Sequence, residues 1–361
     1  MNLPELQKRL SAWYEQSRRD LPWRQTRDPY LIWISEVMLQ QTQARTVIPY
    51  YQNFVARFPD VNCLAKAELS DLLKVWEGLG YYARARNLHK AAKIVSHEMQ
   101  GEIPKAFTGL KQLPGVGEYT ASAIASIAFD EPVAVLDGNV KRVLARWEAL
   151  KSDIRSTRTV KALHELARKY LVQDKPGDWN QAVMELGAII CRPKQPNCGS
   201  CPAQEACATF QKGLVAEIPV VSRRKPIPHY DVTAGLIWDD GKLLITQRKE
   251  NGFLGGLWEF PGGKQEAGES LEECLARELH EELDISVNVG EKAYTLKHAY
   301  THFRITLHIY HCTIISGTPQ AIGCQRWLWV DPVQLDDFTF PKADRSIIES
   351  VTSQAAANSE Q

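Results

Sequence analysis

The sequence lacks any uncharged apolar run of about 18 residues or more, the length that an α-helix needs to cross a bilayer. Its first residues, MNLPELQKRL, also lack the apolar stretch of an export signal, because Glu5 and Lys8 are already charged. Neither a membrane-embedded nor a secreted protein is therefore expected. The sequence predicts a soluble protein of the cytoplasm, associated with the nucleoid if the source is bacterial.

A net charge is also missing, since 43 Lys and Arg balance 43 Asp and Glu. The balance hides an asymmetry. Residues 1–230 carry 32 basic against 23 acidic side chains, a net charge of +9, and residues 231–361 carry 11 against 20, a net charge of −9. A basic half favours a polyanionic partner such as nucleic acid, although a solvated surface can carry the same excess. The length of 361 residues predicts two or three domains.

Cysteines are few, and half of the eight fall in one short segment. The segment has the spacing C-x₆-C-x₂-C-x₅-C and comprises Cys191, Cys198, Cys201 and Cys207. Disulfides within it would close only very short loops and would stabilise the fold little. Four thiolates in one loop instead suit a zinc ion or a [4Fe–4S] cluster, and the spacing alone does not decide between them.

The domain organisation follows from a change of pattern along the chain. Residues 213–228 are rich in proline and basic residues, which predicts an extended linker. Before the linker, apolar residues recur at helical spacing almost throughout; after it, short alternating runs predict strands, with one amphipathic helix at LEECLARELHEEL. The sequence thus predicts an all-α domain at 1–212, an α+β domain at 229–350 and a disordered tail at 351–361.

The helical part contains a glycine-rich turn, LPGVG at 113–117, just before a helix that starts near Tyr119. Its glycines let the backbone approach a ligand closely, and the free N–H groups of a helix start suit a phosphate, although any tight turn could use the same residues. Further on, the segment VLDGNVKR places Asp137 at the predicted start of another helix. There it is either an N-cap or a reactive carboxylate. The succession of hairpin, aspartate and cysteine loop favours a functional site over unrelated turns.

Four motifs occur in a fixed order: SEVMLQQTQ at 35–43, GLGYY at 78–82, LPGVGEYT with VLDGNVKR, and the cysteine loop. Together they resemble the DNA base-excision glycosylases of the helix-hairpin-helix superfamily that carry an iron–sulfur loop, which include the endonuclease III-like enzymes and the adenine glycosylases. The resemblance covers about residues 1–215. It implies an all-α helix-hairpin-helix glycosylase fold and a [4Fe–4S] cluster, rather than zinc, on the four cysteines.

Two positions select the chemistry within this superfamily. Its lyase members carry a Schiff-base lysine two residues after LPGVG, where this sequence has Tyr119, which implies base removal without obligatory strand cleavage. Glu36 resembles the acid of the adenine glycosylases, which protonates the leaving purine, and its apolar neighbours would raise its pKa; a surface carboxylate is the alternative. Asp137, with Asn139 beside it, would stabilise or capture the sugar cation.

The same resemblance implies a duplex substrate whose target base is extruded into a pocket. Gln41 and Tyr81 are expected to fill the gap in the stack, although packing is their alternative role, and Gln181 matches a position that contacts adenine in relatives, some of which have Glu. The remaining residues of this domain expected at the base pocket or the phosphates are Arg19, Trp23, Arg24, Leu113, Gly115 and Gly117.

A second motif lies in the acidic half. The motif G-x₅-E-x₇-R-E-U-x-E-E-x-G-U, in which U is an apolar residue, starts at Gly263 and ends at Ile285, and only its penultimate glycine is replaced, by Asp284. Glu278, Glu281 and Glu282 share one helix face, which suits Mg²⁺ on a diphosphate, whereas a solvated acidic helix is the alternative. The motif resembles the box of the Nudix pyrophosphohydrolases, and WEFPGGKQEAGES looks like the 8-oxo-dGTP diphosphatases.

Adenine glycosylases end in a Nudix-like domain that lacks this box and recognises 8-oxoguanine opposite adenine. HAYTHF resembles its recognition loop, with Thr301 in place of the usual serine and His302 next to it, and Asp344 lies in a segment that resembles the base-reading region of the diphosphatases. Two hypotheses remain for this domain: a module that only inspects the opposite base, or an Mg²⁺-dependent enzyme that hydrolyses 8-oxo-dGTP.

The sequence as a whole predicts a monomeric glycosylase that removes adenine opposite 8-oxoguanine or guanine in double-stranded DNA. Its expected cofactors are a [4Fe–4S] cluster and, in an active Nudix domain, Mg²⁺. The alternatives are an endonuclease III-like glycosylase that acts on damaged pyrimidines and also cleaves the strand, and a noncatalytic DNA-binding protein.

Overall fold

The computed structural model describes residues 1–222 and 226–359, and the chain forms two compact units that do not follow chain order. Unit 1 consists of Met1–Lys66 with Asn87–Arg224, and unit 2 consists of Ala67–Arg86 with Lys225–Gln361. The segment Ala67–Arg86, which contains GLGYY, therefore packs with the C-terminal residues, whereas the sequence predicts it as part of the N-terminal domain.

The helices begin and end close to the predicted amphipathic segments, and several carry capping signals at their start. Asp28 caps α2, and Ser270 forms a capping box with Glu273 at α13. The helices are α1 Leu3–Ser17, α2 Pro29–Leu39, α3 Ala44–Arg57, α4 Val61–Lys66, α5 Leu69–Trp76, α6 Ala83–Glu98, α7 Phe107–Leu110, α8 Glu118–Phe129, α9 Gly138–Trp147, α10 Thr157–Tyr170, α11 Pro176–Glu185, α12 Ala208–Gln211, α13 Leu271–Leu283 and α14 Lys342–Ser359.

Unit 1 is built from helices around an apolar core. Helices α1, α9, α10 and α11 bury Leu10, Val143, Leu163 and Ala182 in one cluster. Helices α8 and α11 approach each other so closely that a Cβ added at Gly177 would lie 2.4 Å from the backbone oxygen of Ser126. Leu186–Ile190 continues α11 as a π-helical turn that leads directly into the cysteine loop.

Unit 2 contains a sheet with strand order β3-β2-β1-β5-β4, in which β6 also pairs with β2. Strands β1 and β5 run parallel, and the other neighbours are antiparallel. Successive residues of a strand point to opposite faces, so Leu236 packs in the cluster with Ile347 of α14 and Ile237 packs with Leu279 of α13. The strands are β1 His229–Asp239, β2 Lys242–Gln247, β3 Trp258–Glu259, β4 Ser286–Ala299, β5 Arg304–Ser316 and β6 Arg326–Val330.

A charged network holds the segment Ala67–Arg86 within unit 2. Glu77 accepts hydrogen bonds from Nε and a terminal nitrogen of Arg345 at 2.6 and 3.1 Å, and both side chains are 19% exposed. At the other end, Arg86 donates to the backbone oxygen of Gly255 at 2.8 Å. These contacts are distant in sequence, which is why helical periodicity did not reveal them.

The predicted linker is partly packed. Ile218 is 2% exposed in the core of unit 1, and its carbonyl accepts a hydrogen bond from Nε of Arg146 at 2.8 Å. The basic run at 223–225 lies outside the described residues.

The C-terminal segment differs from the prediction of a disordered tail at 351–361. Helix α14 continues to Ser359, and residues 360–361 lie outside the described residues. The extension is explained by an alanine-rich sequence that follows a packed helical start, since alanine has the lowest cost of helix formation. Across the described residues, no helix combines the length and apolar character that a membrane span requires.

Candidate active site

The centre of the candidate site is a hydrogen-bonded pair in unit 1. Glu36 lies on α2 between buried apolar residues and is itself only 5% exposed. Tyr119, in the first turn of α8, donates its hydroxyl proton to Oε2 of Glu36 at 2.6 Å. The tyrosine that stands at the lyase position thus orients the carboxyl group.

The environment raises the pKa of Glu36 from 4.5 to about 7, so a large fraction of it is protonated near neutral pH. Burial is the main cause and the nearby Asp137 contributes, while the hydrogen bond from Tyr119 and the charge of Arg24 act in the opposite direction. Burial and the two neighbouring carboxyl groups also raise the pKa of Tyr119 well above its ordinary value, so the phenol keeps its proton.

Asp137 is both an N-cap and a member of the site. Its Oδ1 accepts a hydrogen bond from the backbone N–H of Val140 at 2.6 Å, and its Oδ2 accepts one from Nδ2 of Asn139 at 2.8 Å. Burial raises the pKa of Asp137, and these donors counteract that effect. Structural and chemical roles for this aspartate are therefore compatible.

A chain of hydrogen bonds continues from Asp137 to the cysteine loop. Arg142 donates to Oδ1 of Asn139 at 2.8 Å and to the backbone oxygen of Cys191 at 2.7 Å. Asn139 packs against Gly187, where an added Cβ would lie 2.6 Å from that of Asn139. Sequence reasoning did not identify Arg142, which lies one turn after Asn139 on α9 and shares its face.

The two predicted base-pocket arginines meet at a buried carboxylate that the sequence did not reveal. Arg19 and Arg24 both donate to Oε2 of Glu185 at 2.6 Å, and the Glu185 side chain has no exposed surface. The only sequence signal was a glutamate in the otherwise apolar run AVMELGAII. Trp23, between the arginines, is buried and packs edge-on against Tyr51, which is a packing contact.

Both predicted wedge residues have left-handed backbone conformations, with φ of +59° at Gln41 and +50° at Tyr81. Non-glycine residues adopt this region at a cost, and such positions cluster at functional sites. Gln41 is exposed at the end of α2 in unit 1. In unit 2, the hydroxyl of Tyr81 is hydrogen-bonded to that of Thr301, and His302 beside Thr301 is exposed.

The predicted hairpin is a tight glycine turn in front of α8. Leu113 is buried and anchors the turn, and Gly115 has a φ of +76°. An added Cβ at Gly115 would lie 2.7 Å from that of Asn87, whereas one at Gly117 would meet no atom within 4 Å. Gly117 precedes α8 and makes no side-chain cap, so the N-cap residue offers no side-chain acceptor to the first N–H groups of α8. Gln181 is partly exposed on α11.

The four loop cysteines line one cavity at the end of the π-helical turn. A guanidinium N–H of Arg146 lies 3.2 Å from Sγ of Cys191, where it can offset negative charge on sulfur. Among the described residues, no three Cys, His, Asp or Glu side chains are grouped closely enough to hold a single metal ion. Four thiol side chains around one cavity are the donor set of an iron–sulfur cluster and also of a structural zinc site.

The Nudix helix α13 presents the predicted acidic face in unit 2. Arg277 pairs with Glu278 at 3.1 Å and with Glu281 at 3.2 Å. A Cβ at Gly263 would lie 2.1 Å from the carboxyl carbon of Glu278, so a larger residue there would displace that carboxyl group. Burial and the neighbouring Glu278 raise the pKa of Glu282. The three carboxylates therefore occupy one face, as the spacing predicts.

Asp284 replaces the usual glycine of the box without breaking its turn. It ends α13 with a φ of +55° and a ψ of +37°, the left-handed conformation that glycine favours and that aspartate tolerates at modest cost.

A cavity of about 460 Å³ is lined in part by Gly263 and has aromatic and carboxyl side chains in its walls. Phe260, Tyr300 and Phe303 supply aromatic surface, and Glu259 and Asp344 supply carboxyl groups. Burial raises the pKa of Glu259 to about 8 and that of Asp344 to about 6. A flat base with hydrogen-bonding edges suits such walls.

Comparison with known proteins agrees with this division into two kinds of site. The HhH-GPD superfamily of base excision DNA repair proteins matches residues 34–169, and the NUDIX domain matches residues 233–350. The adenine DNA glycosylase of Rattus norvegicus is 36% identical over 376 residues, which cover 88% of this chain and 73% of the relative. The chain belongs to the adenine DNA glycosylase family.

A second member of the adenine DNA glycosylase family, from Buchnera aphidicola subsp. Schizaphis graminum (strain Sg), is 32% identical over 343 residues, which cover 93% of this chain and 96% of the relative. Among solved structures, a thermostable thymine-DNA glycosylase is 32% identical with a TM-score of 0.54, and the match covers 58% of this chain and 97% of that structure. The predicted fold class, a helical HhH-GPD domain followed by a Nudix domain, is confirmed.

Proposed function

We propose that this chain hydrolyses the bond between adenine and deoxyribose where adenine lies opposite 8-oxoguanine or guanine in duplex DNA. The proposal is carried by Glu36, a buried carboxyl group whose pKa is raised to about 7 and which accepts a hydrogen bond from Tyr119. A purine leaves its sugar readily only when it is protonated. The names of the relatives supply adenine as the base.

The geometry supports a division of labour between two carboxyl groups. The hydroxyl of Tyr119 donates a hydrogen bond to Oε2 of Glu36. The other carboxyl oxygen, Oε1, would then carry the proton and donate it to the purine. As the bond breaks, positive charge grows on the sugar, and the carboxylate of Asp137 would stabilise that charge or bond to it covalently. Asn139 and the start of α9 hold Asp137 in a fixed orientation for this role.

The absence of an amine at position 119 supports hydrolysis alone. A lyase needs a primary amine to form a Schiff base with the opened sugar, and Tyr119 carries a phenol that stays protonated. This is the feature that disfavours the alternative of a pyrimidine-damage glycosylase with strand cleavage.

Recognition of the base opposite adenine is assigned to the loop that carries Thr301 and His302. Both residues are exposed, and Thr301 pairs with Tyr81 through their hydroxyl groups. A hydroxyl both donates and accepts, so it can pair with the N7–H or O8 that distinguish 8-oxoguanine from guanine.

The cysteine cavity is proposed to hold a [4Fe–4S] cluster on Cys191, Cys198, Cys201 and Cys207. Burial raises the pKa of Cys201 to about 12 in the absence of a cation, so cluster binding would release protons from these thiols. Four cysteine ligands leave no open position on the cluster, so it would organise the loop next to Arg142 and Arg146 instead of reacting with the base.

A second activity, Mg²⁺-dependent hydrolysis of 8-oxo-dGTP, is favoured by one observation in unit 2. The face with Glu278, Glu281 and Glu282 is complete, Gly263 leaves the space that Glu278 needs, and the acidic cavity lies beside Gly263. Carboxylate oxygens are the ligands that Mg²⁺ prefers.

The glycosylase proposal is tested by single-turnover release of free adenine from duplexes with adenine opposite 8-oxoguanine, guanine or thymine. We expect fast release opposite 8-oxoguanine, slower release opposite guanine and very slow release opposite thymine. Glu118→Gln, an exposed change on α8, serves as the control and should keep this order. Equal rates opposite all three bases, or release of a damaged pyrimidine instead, would overturn the proposal.

The second activity is tested on the full-length protein with 8-oxo-dGTP and Mg²⁺. We expect pyrophosphate release that is lost in Glu281→Gln and kept in Glu272→Gln, an exposed change on the same helix. If pyrophosphate is released no faster than in the absence of protein, this domain has only a binding role.

A further inference from the structure

Glu185 is a buried anion with two cationic partners. It ends α11 just before the π-helical turn, and its side chain has no exposed surface. The backbone N–H and Nε of Arg19 donate to Oε1 at 3.0 and 2.8 Å, and terminal nitrogens of Arg19 and Arg24 both donate to Oε2 at 2.6 Å. These four charge-assisted hydrogen bonds fix the positions of both arginines.

The carboxylate is ionised at all physiological pH values. Burial alone would raise the pKa of Glu185, but the hydrogen bonds and charges of Arg19 and Arg24 outweigh burial and lower it to about 2. A single buried charge is costly, and a carboxylate shared by two guanidinium groups leaves a net charge of +1. The arginines are therefore fixed while part of their charge is cancelled.

This network is connected to Glu36 by one electrostatic interaction and by one contact with Tyr119. The charge of Arg24 acts on Glu36 and favours its ionised form. Met184, next to Glu185 on α11, places its sulfur 3.8 Å from the hydroxyl of Tyr119, the group that orients Glu36. Removal of the Glu185 charge would leave Arg24 less compensated beside the acid.

We propose that Glu185 is a positioning residue for adenine excision: it holds Arg19 and Arg24 at the base pocket and limits the positive charge that reaches Glu36. The inference rests on the proposed glycosylase function. With glutamine at 185, the arginines lose their shared anion, and the full charge of Arg24 favours loss of the proton from Glu36. The acid would then be deprotonated at a lower pH than in the wild type.

Other charged groups around the pair are accounted for. Glu36 is faced by Tyr119 from α8, by Asp137 from the start of α9 and by Arg24 from the turn Pro22–Arg24. All three residues are kept in the Glu185 variants, and only the compensation of the Arg24 charge differs between them.

On the other side of the network, the guanidinium group of Arg24 lies over the ring of Tyr14 of α1. The guanidinium carbon is 5.6 Å from the centroid of that ring. Burial raises the pKa of Tyr14, so it stays neutral, and the other charges near it are those of Arg18 and Asp178. Tyr14, Arg18 and Asp178 are unchanged in the variants below, so they cannot produce a shift between them.

The test compares Glu185→Gln with Glu185→Asp, which keeps the charge, and with Glu148→Gln. Glu148 is a partly buried carboxylate of unit 1 that accepts from Tyr170 at 2.8 Å and lies away from this network. Iron content and melting temperature establish that each variant is folded. Two readouts follow for each variant: single-turnover adenine release over a range of pH, and an infrared titration of the Glu36 carboxyl band, assigned by its disappearance in Glu36→Gln.

In Glu185→Gln, we expect both the infrared titration and the alkaline fall in rate to move to lower pH. A shift of about one unit would lower the rate at about pH 8 about ninefold and the rate at about pH 6 about twofold. Glu185→Asp should titrate close to the wild type, and Glu148→Gln should be unchanged. An unshifted Glu36 band in a folded Glu185→Gln protein overturns the inference. Because the infrared titration does not depend on turnover, a wild type that releases no adenine refutes the proposed function separately.

Discussion

Replacing Glu36 by glutamine removes the proton donor and keeps the shape of the side chain, so it separates chemistry from stability. The hydroxyl of Tyr119 can still donate to the amide oxygen in place of Oε2 of Glu36. Adenine release should fall by about 10²-fold or more, the contribution expected of a positioned general acid. The same change should stabilise the protein at alkaline pH.

The stability gain follows from the pKa of Glu36, which is 4.5 in the unfolded chain and about 7 in the folded one. The folded state therefore binds the proton more tightly, and stability is lost as pH rises from the lower value through the higher one. A shift of this size costs the wild type about 3 kcal/mol at pH 8 and less than about 1 kcal/mol at pH 5. Glutamine does not ionise and avoids this cost.

The assay is denaturant unfolding of wild type and Glu36→Gln at both pH values, with the iron content of both proteins matched. We expect the variant to unfold at clearly higher denaturant at pH 8 and at nearly the same denaturant at pH 5. A variant that is equally stable or less stable than the wild type at pH 8 would show that Glu36 is not held protonated by an apolar pocket, and the reasoning would fail.

Three further predictions concern other parts of the molecule. Borohydride should trap no covalent adduct between the wild type and a duplex during adenine release, because Tyr119 offers no amine; a trapped adduct on denaturing gels would contradict this. Gly263→Ala should abolish Mg²⁺-dependent hydrolysis of 8-oxo-dGTP, since the new methyl group would overlap the carboxyl group of Glu278, and adenine release should persist in the same preparation. Arg345→Gln should destabilise the protein by about 2 kcal/mol in denaturant unfolding, because Glu77 loses a charged hydrogen-bond partner; an unchanged midpoint would show that this network does not hold the segment.

Much of the fold was predictable because it depends on local patterns. Helical spacing gave the helices of unit 1, alternating runs gave strands β1 and β5, and glycines with an aspartate located the hairpin and the start of α9. The acidic face of α13 followed from spacing alone. Each of these features depends on residues within a few turns of one another, which a sequence displays directly.

Contacts between distant residues were not predictable in this way. Glu185 acquires its role only when α11 approaches Arg19 and Arg24, and the pairing of Glu77 with Arg345 moves the GLGYY segment into unit 2. No spacing rule connects residues so far apart in the chain. Likewise, only the backbone angles show that Asp284 ends α13 in the left-handed conformation.

The central claim, that a protonated Glu36 drives loss of adenine, is tested most directly by the pH dependence of one rate. Single-turnover adenine release from a duplex with adenine opposite 8-oxoguanine should be nearly constant at acidic pH and fall about tenfold per unit above about pH 7. A rate that stays constant to about pH 9 in a protein that binds the duplex fully would contradict the account.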